Sequence, residues 1–467
     1  MTDTSTKPAG KAHRSRLWVA VATLAGSIPA TATDAAPLLE TLVVTATRVD
    51  RDIGDVARSL AVLDRLEIES IQAQSVAELL AYQPNITVAG GPRASLQTVN
   101  IRGLGGNKVL QTIDGARLSF ESGHRPSYVL DPELLQQVEA LRGPASSLWG
   151  SGALGGVIAQ QTIDPAALLA GRELGGFART GVNSNNGQST TTLALAATRG
   201  DLDGLVSAYY RDSDDIELGN GETLTGSASR DQGWLAKANW RIGDAHRLQA
   251  NLRSSDSTGT VPSNGSAQIN DSCNFLVARD TRTHYASLRW DFDPDSTWIN
   301  SRVLAYWNQV EIDESRVSDG RADATQLDEF GINLLNLSEI AGISLQYGAD
   351  IYRENFEAVR TGLSRPLPPE ATTDVRSVYA QATAPLTAHW RLDLGLRYDD
   401  FSTRAENPDD RRNAGDTSGS AALVWTPTET ATLSLRYDEA FRAPTAEELY
   451  TAGTHFCMGS GFCNSFL

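Results

Sequence analysis

Polar and apolar residues alternate over most of the chain from residue 177 onward, and this alternation predicts β-strands. In the segment LVSAYYR, Leu205, Ser207 and Tyr209 point to one face, and the residues between them point to the other. The segment SGSAALVWTPTETATLSLRYDEAFRAP alternates in the same way on both sides of a short turn, which predicts a hairpin. The second part of the chain is therefore predicted to be antiparallel β-structure.

The turns between these predicted strands differ in length. TPTET and IGDA are tight, whereas the polar stretch from Ser254 to Arg282 predicts a long loop. Short turns at one end, long loops at the other and aromatic residues near strand ends are typical of transmembrane barrels. The tryptophans near predicted strand ends are Trp234, Trp240, Trp290, Trp298, Trp390 and Trp425. We predict a transmembrane antiparallel β-barrel over 177–467; a soluble β-sandwich is the alternative, and the lack of a fixed repeat argues against a propeller.

The chain before this region has a different pattern. The segment SVAELLAYQPNITV predicts a helix with Ser75 as its N-cap and Glu78 three residues later. Short strands and glycine turns follow, so residues 49–165 are predicted to form a small α+β domain. The run Gly150–Gly155 has the letters of a dinucleotide-binding motif, but it leads into a strand rather than a helix. We interpret these glycines as tight turns and predict that the protein is not an enzyme.

The N-terminus has a basic patch, an apolar stretch and small residues at 30–32, which predicts a secretory signal peptide over 1–32. The formal net charge is −17, which argues against a nucleic-acid partner because phosphate binding needs clustered cations. The later sequence has no apolar run of the length that a transmembrane helix needs. These features indicate an exported protein.

The segments NIRGLGGNKVLQTIDGARL, VEALRGPASSLWGSGALGGVI and ETLVVTATR resemble the plug domain and TonB box of TonB-dependent outer-membrane receptors. The resemblance implies a plug inside a barrel of about 22 strands, embedded in outer-membrane lipid. It implies a TonB box at 40–48 that adds a strand to TonB, with an ordinary plug strand as the alternative interpretation. The residues expected to bind TonB are Glu40, Thr41, Leu42, Val43, Val44, Thr45 and Ala46.

FRAPTAEELY, followed by His455, resembles the FRAP box of haem and haemoglobin receptors in this family, and DGARLSFESGHRPSYVLDPELLQQVE resembles their plug loop. The resemblance implies that His124 and His455 bind haem, the transported cargo, between them. Imidazole is a common axial ligand of haem iron. Arg117 and Arg125 are candidate partners for the haem propionates. The expected partners are TonB and haem or a haemoglobin-like carrier. The alternatives are a ferric siderophore as cargo and, from another class, a non-transporting surface adhesion protein.

The chain has three cysteines, and two of them, Cys457 and Cys463, lie in the same predicted loop as His455. An oxidising exterior favours a local disulfide between them over a metal clip, which would lack a fourth ligand. The third cysteine, Cys273, is not part of this predicted pair. The family's NPNL motif does not occur before Leu467, so we expect that only about the first half of the barrel is present.

Overall fold

The structure, a computed structural model, describes residues 47–49, 51, 53–118, 121–122, 125–126, 130–270, 274–361, 367–406, 409–428, 430–451, 453–458 and 462–466. At 121–122, 126, 453–458 and 462–466 it describes the backbone alone. The predicted signal peptide at 1–32 lies outside the described residues.

The N-terminal domain is an α+β fold, as predicted. Its strands are β1 (Ser59–Leu63), β2 (Ile86–Ala89), β3 (Thr98–Ile101), β4 (Val109–Ile113), β5 (Ala116–Arg117), β6 (Glu121–Ser122), β7 (Arg125–Pro126), β8 (Leu135–Arg142) and β9 (Gly156–Thr162). Its helices are α1 (Arg65–Ile71), α2 (Val76–Leu80), α3 (Ser146–Trp149) and α4 (Pro165–Leu169). Short 3-10 turns lie at Ile53–Asp55, Ala94–Leu96, Gly106–Lys108 and Pro132–Leu134.

A five-stranded sheet in the order β1-β8-β9-β4-β5 forms the centre of this domain, with β4 and β9 parallel. The predicted N-cap is confirmed: the Ser75 hydroxyl accepts a hydrogen bond from the Glu78 amide at 3.0 Å. Gly150 has a φ of +74°, and a Cβ there would approach the Arg397 guanidinium to 2.8 Å. The glycine-rich run therefore serves close packing and leads into β9, as predicted.

The second part of the chain forms a thirteen-stranded antiparallel sheet. Its strands are β10 (Leu174–Asn183), β11 (Gln188–Arg199), β12 (Leu202–Ser213), β15 (Ser229–Ile242), β16 (His246–Pro262), β17 (Leu276–Phe292), β18 (Ser301–Arg316), β19 (Ala322–Ile340), β20 (Ile343–Arg360), β21 (Ala371–Pro385), β22 (Trp390–Ala405), β23 (Asp410–Thr428) and β24 (Ala431–Asp438). The hairpin β13 (Ile216–Glu217) and β14 (Thr223–Leu224) lies in the connection after β12. Each strand of the sheet pairs with its neighbour in sequence, and β10 and β24 are its edges within the described chain.

This sheet wraps around the N-terminal domain. Ion pairs join the domain to β12 through Asp131 and Arg211 and to β24 through Arg58 and Asp438, each at 2.8 Å. We call the sheet the barrel sheet and its face toward the domain the inward face.

The two faces of the barrel sheet differ in polarity, as the alternation predicts. In β12, Leu205 and Tyr209 face inward and are buried, while Val206 and Tyr210 are exposed on the outward face. The outward face also carries a stacked pair, Trp390 and Trp425, with ring centroids 5.5 Å apart. Other apolar side chains exposed on the outward face include Leu193, Leu195, Trp234, Trp240, Leu252, Leu288, Trp307, Phe330, Ile351, Val378 and Leu396.

The connections differ between the two ends of the barrel sheet. At the short-turn end they span 200–201, 243–245, 293–300, 341–342, 386–389 and 429–430. At the long-loop end they span 184–187, 214–228, 263–275, 317–321, 361–370 and 406–409. The expected loop from Ser254 to Arg282 is wrong in extent. Strand β16 continues to Pro262, and strand β17 already begins at Leu276. Their polar residues are compatible with strands because the inward face is polar.

Beyond β24 the chain forms α5 (Ala446–Tyr450) and a hairpin of β25 (Gly453–Met458) and β26 (Phe462–Phe466). Among the described residues, no helix has the length and hydropathy needed to cross a membrane.

Asp114, in the N-terminal domain, is held at the barrel sheet by polar contacts. Its carboxylate accepts hydrogen bonds from the Thr162 amide at 3.0 Å and from Asn251 at 2.6 Å, and it lies 3.4 Å from the Lys237 ammonium. Burial alone would raise the pKa of Asp114, but Lys237 and the Thr162 hydrogen bonds outweigh it, so the pKa is lowered.

We expect Asp114→Asn to lower the free energy of unfolding by about 2 kcal/mol at neutral pH, because the amide loses charge-assisted hydrogen bonds. A lowered native pKa contributes stability above the unfolded value of about 3.9 and loses it as the pH falls through the native value. The difference from the unmodified protein should therefore shrink in acid. Urea unfolding at neutral pH and below pH 3.9 measures it, and a difference that is the same at both would contradict this account.

Candidate functional site

Arg48 joins the first described residues to the barrel sheet. Its guanidinium donates two hydrogen bonds to Asp350 of β20, both 2.8 Å long. It also lies over the Trp149 ring at 4.4 Å and the Tyr379 ring at 4.7 Å. Only 7% of the Arg48 side chain and 4% of the Asp350 side chain are exposed. The bidentate ion pair and the two aromatic rings fix both the position and the orientation of the Arg48 side chain.

Asp350 also belongs to a larger buried ion network. It accepts from Arg397 of β22 at 2.7 Å, and Arg397 donates to Asp399 at 2.8 Å and to the Leu148 carbonyl at 3.2 Å. The signs alternate along the network, so each buried charge is compensated. Burial opposes the charge of Arg48, but Asp350 and Tyr379 raise its pKa above the ordinary value, and Arg48 stays cationic.

The backbone on either side of Arg48 lies toward the short-turn end. The Thr47 carbonyl accepts from Gln346 at 3.4 Å, and the Arg48 carbonyl accepts from Arg302 at 3.2 Å. Gln346 and Arg302 lie near the starts of β20 and β18, which begin at the short-turn end. The residues expected to bind TonB, 40–46, lie outside the described residues and directly precede this segment.

The FRAP segment, residues 441–444, is attached to α3 and to the turn after it. The Phe441 amide donates to the Ser146 hydroxyl at 3.0 Å, and the Ala443 amide donates to the Ser151 hydroxyl at 3.0 Å. The Phe441 ring packs on Phe401 of β22 at a centroid distance of 5.5 Å. The segment therefore bridges the N-terminal domain and the inward face of the barrel sheet.

Helix α5 continues from the FRAP segment and has a capping box. Thr445 accepts from the Glu448 amide at 3.2 Å, and Glu448 accepts from the Thr445 amide at 2.9 Å. Glu447 pairs with Arg360, the last residue of β20, at 3.2 Å. This pair fixes α5 at the long-loop end, and β25, which contains His455, follows at once.

Arg125, which follows His124 in sequence, is anchored at the same end. His124 lies outside the described residues, but its neighbour Arg125 is buried and donates to Thr325 of β19 at 2.9 Å. Thr325 pairs in register with Ala358 of β20, two residues from Arg360. The attachments of the two candidate histidine segments therefore lie on adjacent strands.

The candidate propionate partners have contacts within the protein. Arg117 donates to the carbonyls of Trp149 at 2.8 Å and Ser151 at 2.7 Å, and it lies 5.1 Å over the Tyr352 ring. Arg125 lies 3.8 Å from Glu314. The Arg117 guanidinium thus joins two parts of the N-terminal domain, and the Arg125 guanidinium joins this domain to the barrel sheet.

The candidate cysteines lie in the terminal hairpin. Cys457 and Cys463 are register partners in β25 and β26. Their side chains, and that of His455, are outside what the structure describes, as is the whole of Cys273. Sequence reasoning missed the buried ion network; a single Asp or Arg on a predicted strand carries no signal of its partner.

Known families match both parts of this chain. The TonB-dependent Receptor Plug Domain matches residues 52–157, and the family TonB dependent receptor-like, beta-barrel matches residues 240–465. The chain belongs to the TonB-dependent receptors. Its N-terminal domain is the plug, and the barrel sheet is part of the receptor barrel.

Several receptors of this family are similar to the chain. It is 31% identical over 433 residues to the heme/hemopexin utilization protein C of Haemophilus influenzae, covering 83% of this chain and 61% of that protein. It is 31% identical over 448 residues to the hemin receptor of Yersinia pestis, covering 90% and 62%. The chain thus spans about three fifths of the length of these relatives.

A solved structure supports the fold. The hemophore receptor HasR of Serratia marcescens, a double mutant in complex with its hemophore HasA and heme, matches with a TM-score of 0.77 and 23% identity. The match covers 86% of this chain and 66% of that chain. At this identity the likeness concerns the fold alone.

Proposed function

We propose that this TonB-dependent receptor binds haem or a haem protein and imports haem across the outer membrane. The proposal is supported by two contacts at the long-loop end, Glu447 with Arg360 of β20 and Arg125 with Thr325 of β19, which lie on adjacent strands next to the two candidate histidine segments. The similar proteins of Haemophilus and Yersinia are named for heme and hemin. The family relationship favours a transport receptor over an enzyme, with haem as cargo and no catalytic cofactor.

His124 and His455 are the proposed haem ligands. Neutral imidazole is a common axial ligand of haem iron. One histidine from the plug apex and one from the loop above it would approach the iron from opposite faces. A disulfide between Cys457 and Cys463, which are register partners, would hold the hairpin around His455. A carrier such as haemoglobin or a hemophore would deliver haem to this end.

The outward face of the barrel sheet supports an outer-membrane location. Apolar side chains cover it, with aromatic residues at strand ends, and the inward face is polar. In this orientation the short turns face the periplasm and the long loops face the cell exterior. We retain the predicted organisation of a signal peptide at 1–32, a TonB box at 40–48, a plug at 49–165 and a barrel region at 177–467.

TonB is the proposed energy-coupling partner. An extended Val- and Thr-rich segment such as 40–46 can add a strand to the edge of a partner's sheet. The chain that follows it is fixed to the barrel by Arg48 at the short-turn end, where a periplasmic protein would reach it. Pulling on 40–46 would strain this attachment first.

Deleting residues 40–46 is expected to abolish energised haem uptake and to leave haem binding at the cell surface unchanged. Uptake of labelled haem and surface binding are measured in the same cells, with a deletion of the exposed hairpin 216–224 as the control. Unchanged uptake after loss of 40–46 would favour a binding or adhesion protein. Energised uptake of a ferric siderophore but not of haem would refute the proposed cargo.

A further inference from the structure

A cavity of about 540 Å³ lies between the plug and the barrel sheet, toward the short-turn end. This volume is within the range of small-molecule pockets, roughly 300–1,000 Å³. The plug contributes strands β4, β8 and β9 and helices α3 and α4 to its lining, and the barrel sheet contributes β15 to β19 and β21. Among the described residues, neither the FRAP segment nor Arg125 lines this cavity, and we treat it as separate from the proposed haem site at the long-loop end.

Three arginines and the carboxylate of Asp291 lie on the barrel side of this cavity, and one of the arginines, Arg247, lies 3.7 Å from Asp164 of the plug. Arg247, Asp291 and Arg302 are register partners across β16, β17 and β18, and Arg289 precedes Asp291 by two residues on the same face. Asp291 accepts from Arg289 at 2.9 Å and from Arg302 at 2.8 Å. The side chains of Arg247, Arg289 and Arg302 are 47%, 30% and 27% exposed. Part of each side chain is therefore accessible, and all three residues line the cavity.

The cavity carries an excess of positive charge. Among the described residues that line it are five cationic side chains and three carboxylates. Arg48 is paired with Asp350 outside the cavity, so the other four cations exceed the three lining carboxylates by one. The side-chain amide atoms of Gln160, which also lines the cavity, are buried without a hydrogen-bond partner in the described part of the protein. Guanidinium groups favour carboxylates because the two groups form paired, charge-assisted hydrogen bonds.

Flat and apolar surface lies beside these charges. The side chains of Trp149, Tyr379, Leu304, Leu335 and Ala159 line the same cavity, and Arg48 lies over the Trp149 and Tyr379 rings. A charged cluster next to aromatic and aliphatic walls fits an anionic ligand with a planar apolar body.

We propose that this cavity is a second cargo site, which takes a porphyrin by its two carboxylates as it passes from the plug apex toward the periplasm. The proposal rests on the proposed function, because it assigns a transit position to the same cargo. Arg302 donates to the Arg48 carbonyl. Moving residues 47–49 would therefore release one Arg302 donor to the cargo and couple the pull of TonB to loading of this site.

The test uses iron-free protoporphyrin IX, which histidines cannot hold by iron coordination. It is titrated by fluorescence into the full chain in detergent, with His124→Ala and His455→Ala combined. Saturable binding is expected. Replacing Arg289 and Arg302 together by Gln should weaken it about tenfold or more, equivalent to at least about 1.4 kcal/mol. The control is Arg353→Gln, which removes a charge from the exposed outward face.

The substitution Asp291→Asn should strengthen porphyrin binding, whereas the double arginine replacement should weaken it. It removes the carboxylate that occupies Arg289 and Arg302, so porphyrin should bind about threefold to tenfold more tightly. A variant that merely damaged the fold would bind more weakly. The dimethyl ester of protoporphyrin IX lacks both carboxylates, and binding of this ester as tight as that of the free acid would overturn the proposal. Weaker binding of protoporphyrin IX by Asp291→Asn than by the unmodified protein would also overturn it.

The two proposals fail separately. A haem spectrum that depends on His124 and His455, with no saturable protoporphyrin binding, overturns the cavity site and spares the proposed function. Arginine-dependent protoporphyrin binding without any haem spectrum supports the cavity site and overturns the proposed cargo ligands.

Discussion

Trypsin is expected to cleave after Arg48 at least about 100-fold faster in Asp350→Ala than in the unmodified receptor. Arg48 is a potential cleavage site, but its side chain is only 7% exposed because Asp350, Trp149 and Tyr379 enclose it. Removing Asp350 leaves the guanidiniums of Arg48 and Arg397 close together with one fewer buried anion. Breaking a buried pair in this way costs about 3–5 kcal/mol, or roughly two to four powers of ten in the population of the open state.

The cleavage is measured by mass spectrometry of the new N-terminus at low protease concentration, where the rate follows the open population. Asp374→Ala is the matched control, since it removes an aspartate that pairs with Arg353 on the exposed outward face. An unchanged cleavage rate in Asp350→Ala would show that Asp350 does not hold the chain at Arg48. A similar increase in Asp374→Ala would point to general loosening instead.

Replacing His124 or His455 by alanine is expected to lower haem uptake by more than about 100-fold. Loss of an outer-shell partner of a metal ligand already costs about 10–100-fold, and loss of the ligand itself should cost more. The attachments on both sides of the site remain in these variants, since Arg125 still contacts Thr325 and Glu447 still contacts Arg360. Uptake of labelled haem at concentrations below saturation measures the effect.

His284→Ala is the control for these variants, because His284 lies on β17, where its ring contacts Ser254. Its uptake should match that of the unmodified receptor. Retained uptake in either His124→Ala or His455→Ala would remove that histidine from the proposed ligand pair. Uptake lost equally in all three variants would indicate a defect of folding or export.

The sequence predicted those features that depend on neighbouring residues. The alternation in LVSAYYR placed Leu205 and Tyr209 on the same face, because successive side chains of a strand point in opposite directions. In the structure this face is the inward one. Ser75 was identified as an N-cap because a cap needs a hydroxyl and an amide only three residues apart. Where both faces of a strand are polar, this signal fails, as it did between Ser254 and Pro262 in β16.

The features that position the site come from distant parts of the chain. Arg48 and Asp350 are 302 residues apart, and Arg397 reaches Leu148 across 249 residues. Nothing local distinguishes such residues from solvated charges on a strand. The same holds for the cavity, where Arg289 and Arg302 become adjacent only through the register of β17 and β18. These contacts follow from the way the barrel sheet encloses the plug.

The most direct test of the account is the absorbance spectrum of the unmodified receptor during titration with haem. Two imidazole ligands should give a saturable low-spin haem spectrum with one equivalent bound. His124→Ala and His455→Ala should each lose it. If the unmodified receptor gives no saturable haem spectrum, the proposed cargo is wrong, and the TonB-dependent receptor fold must serve another ligand.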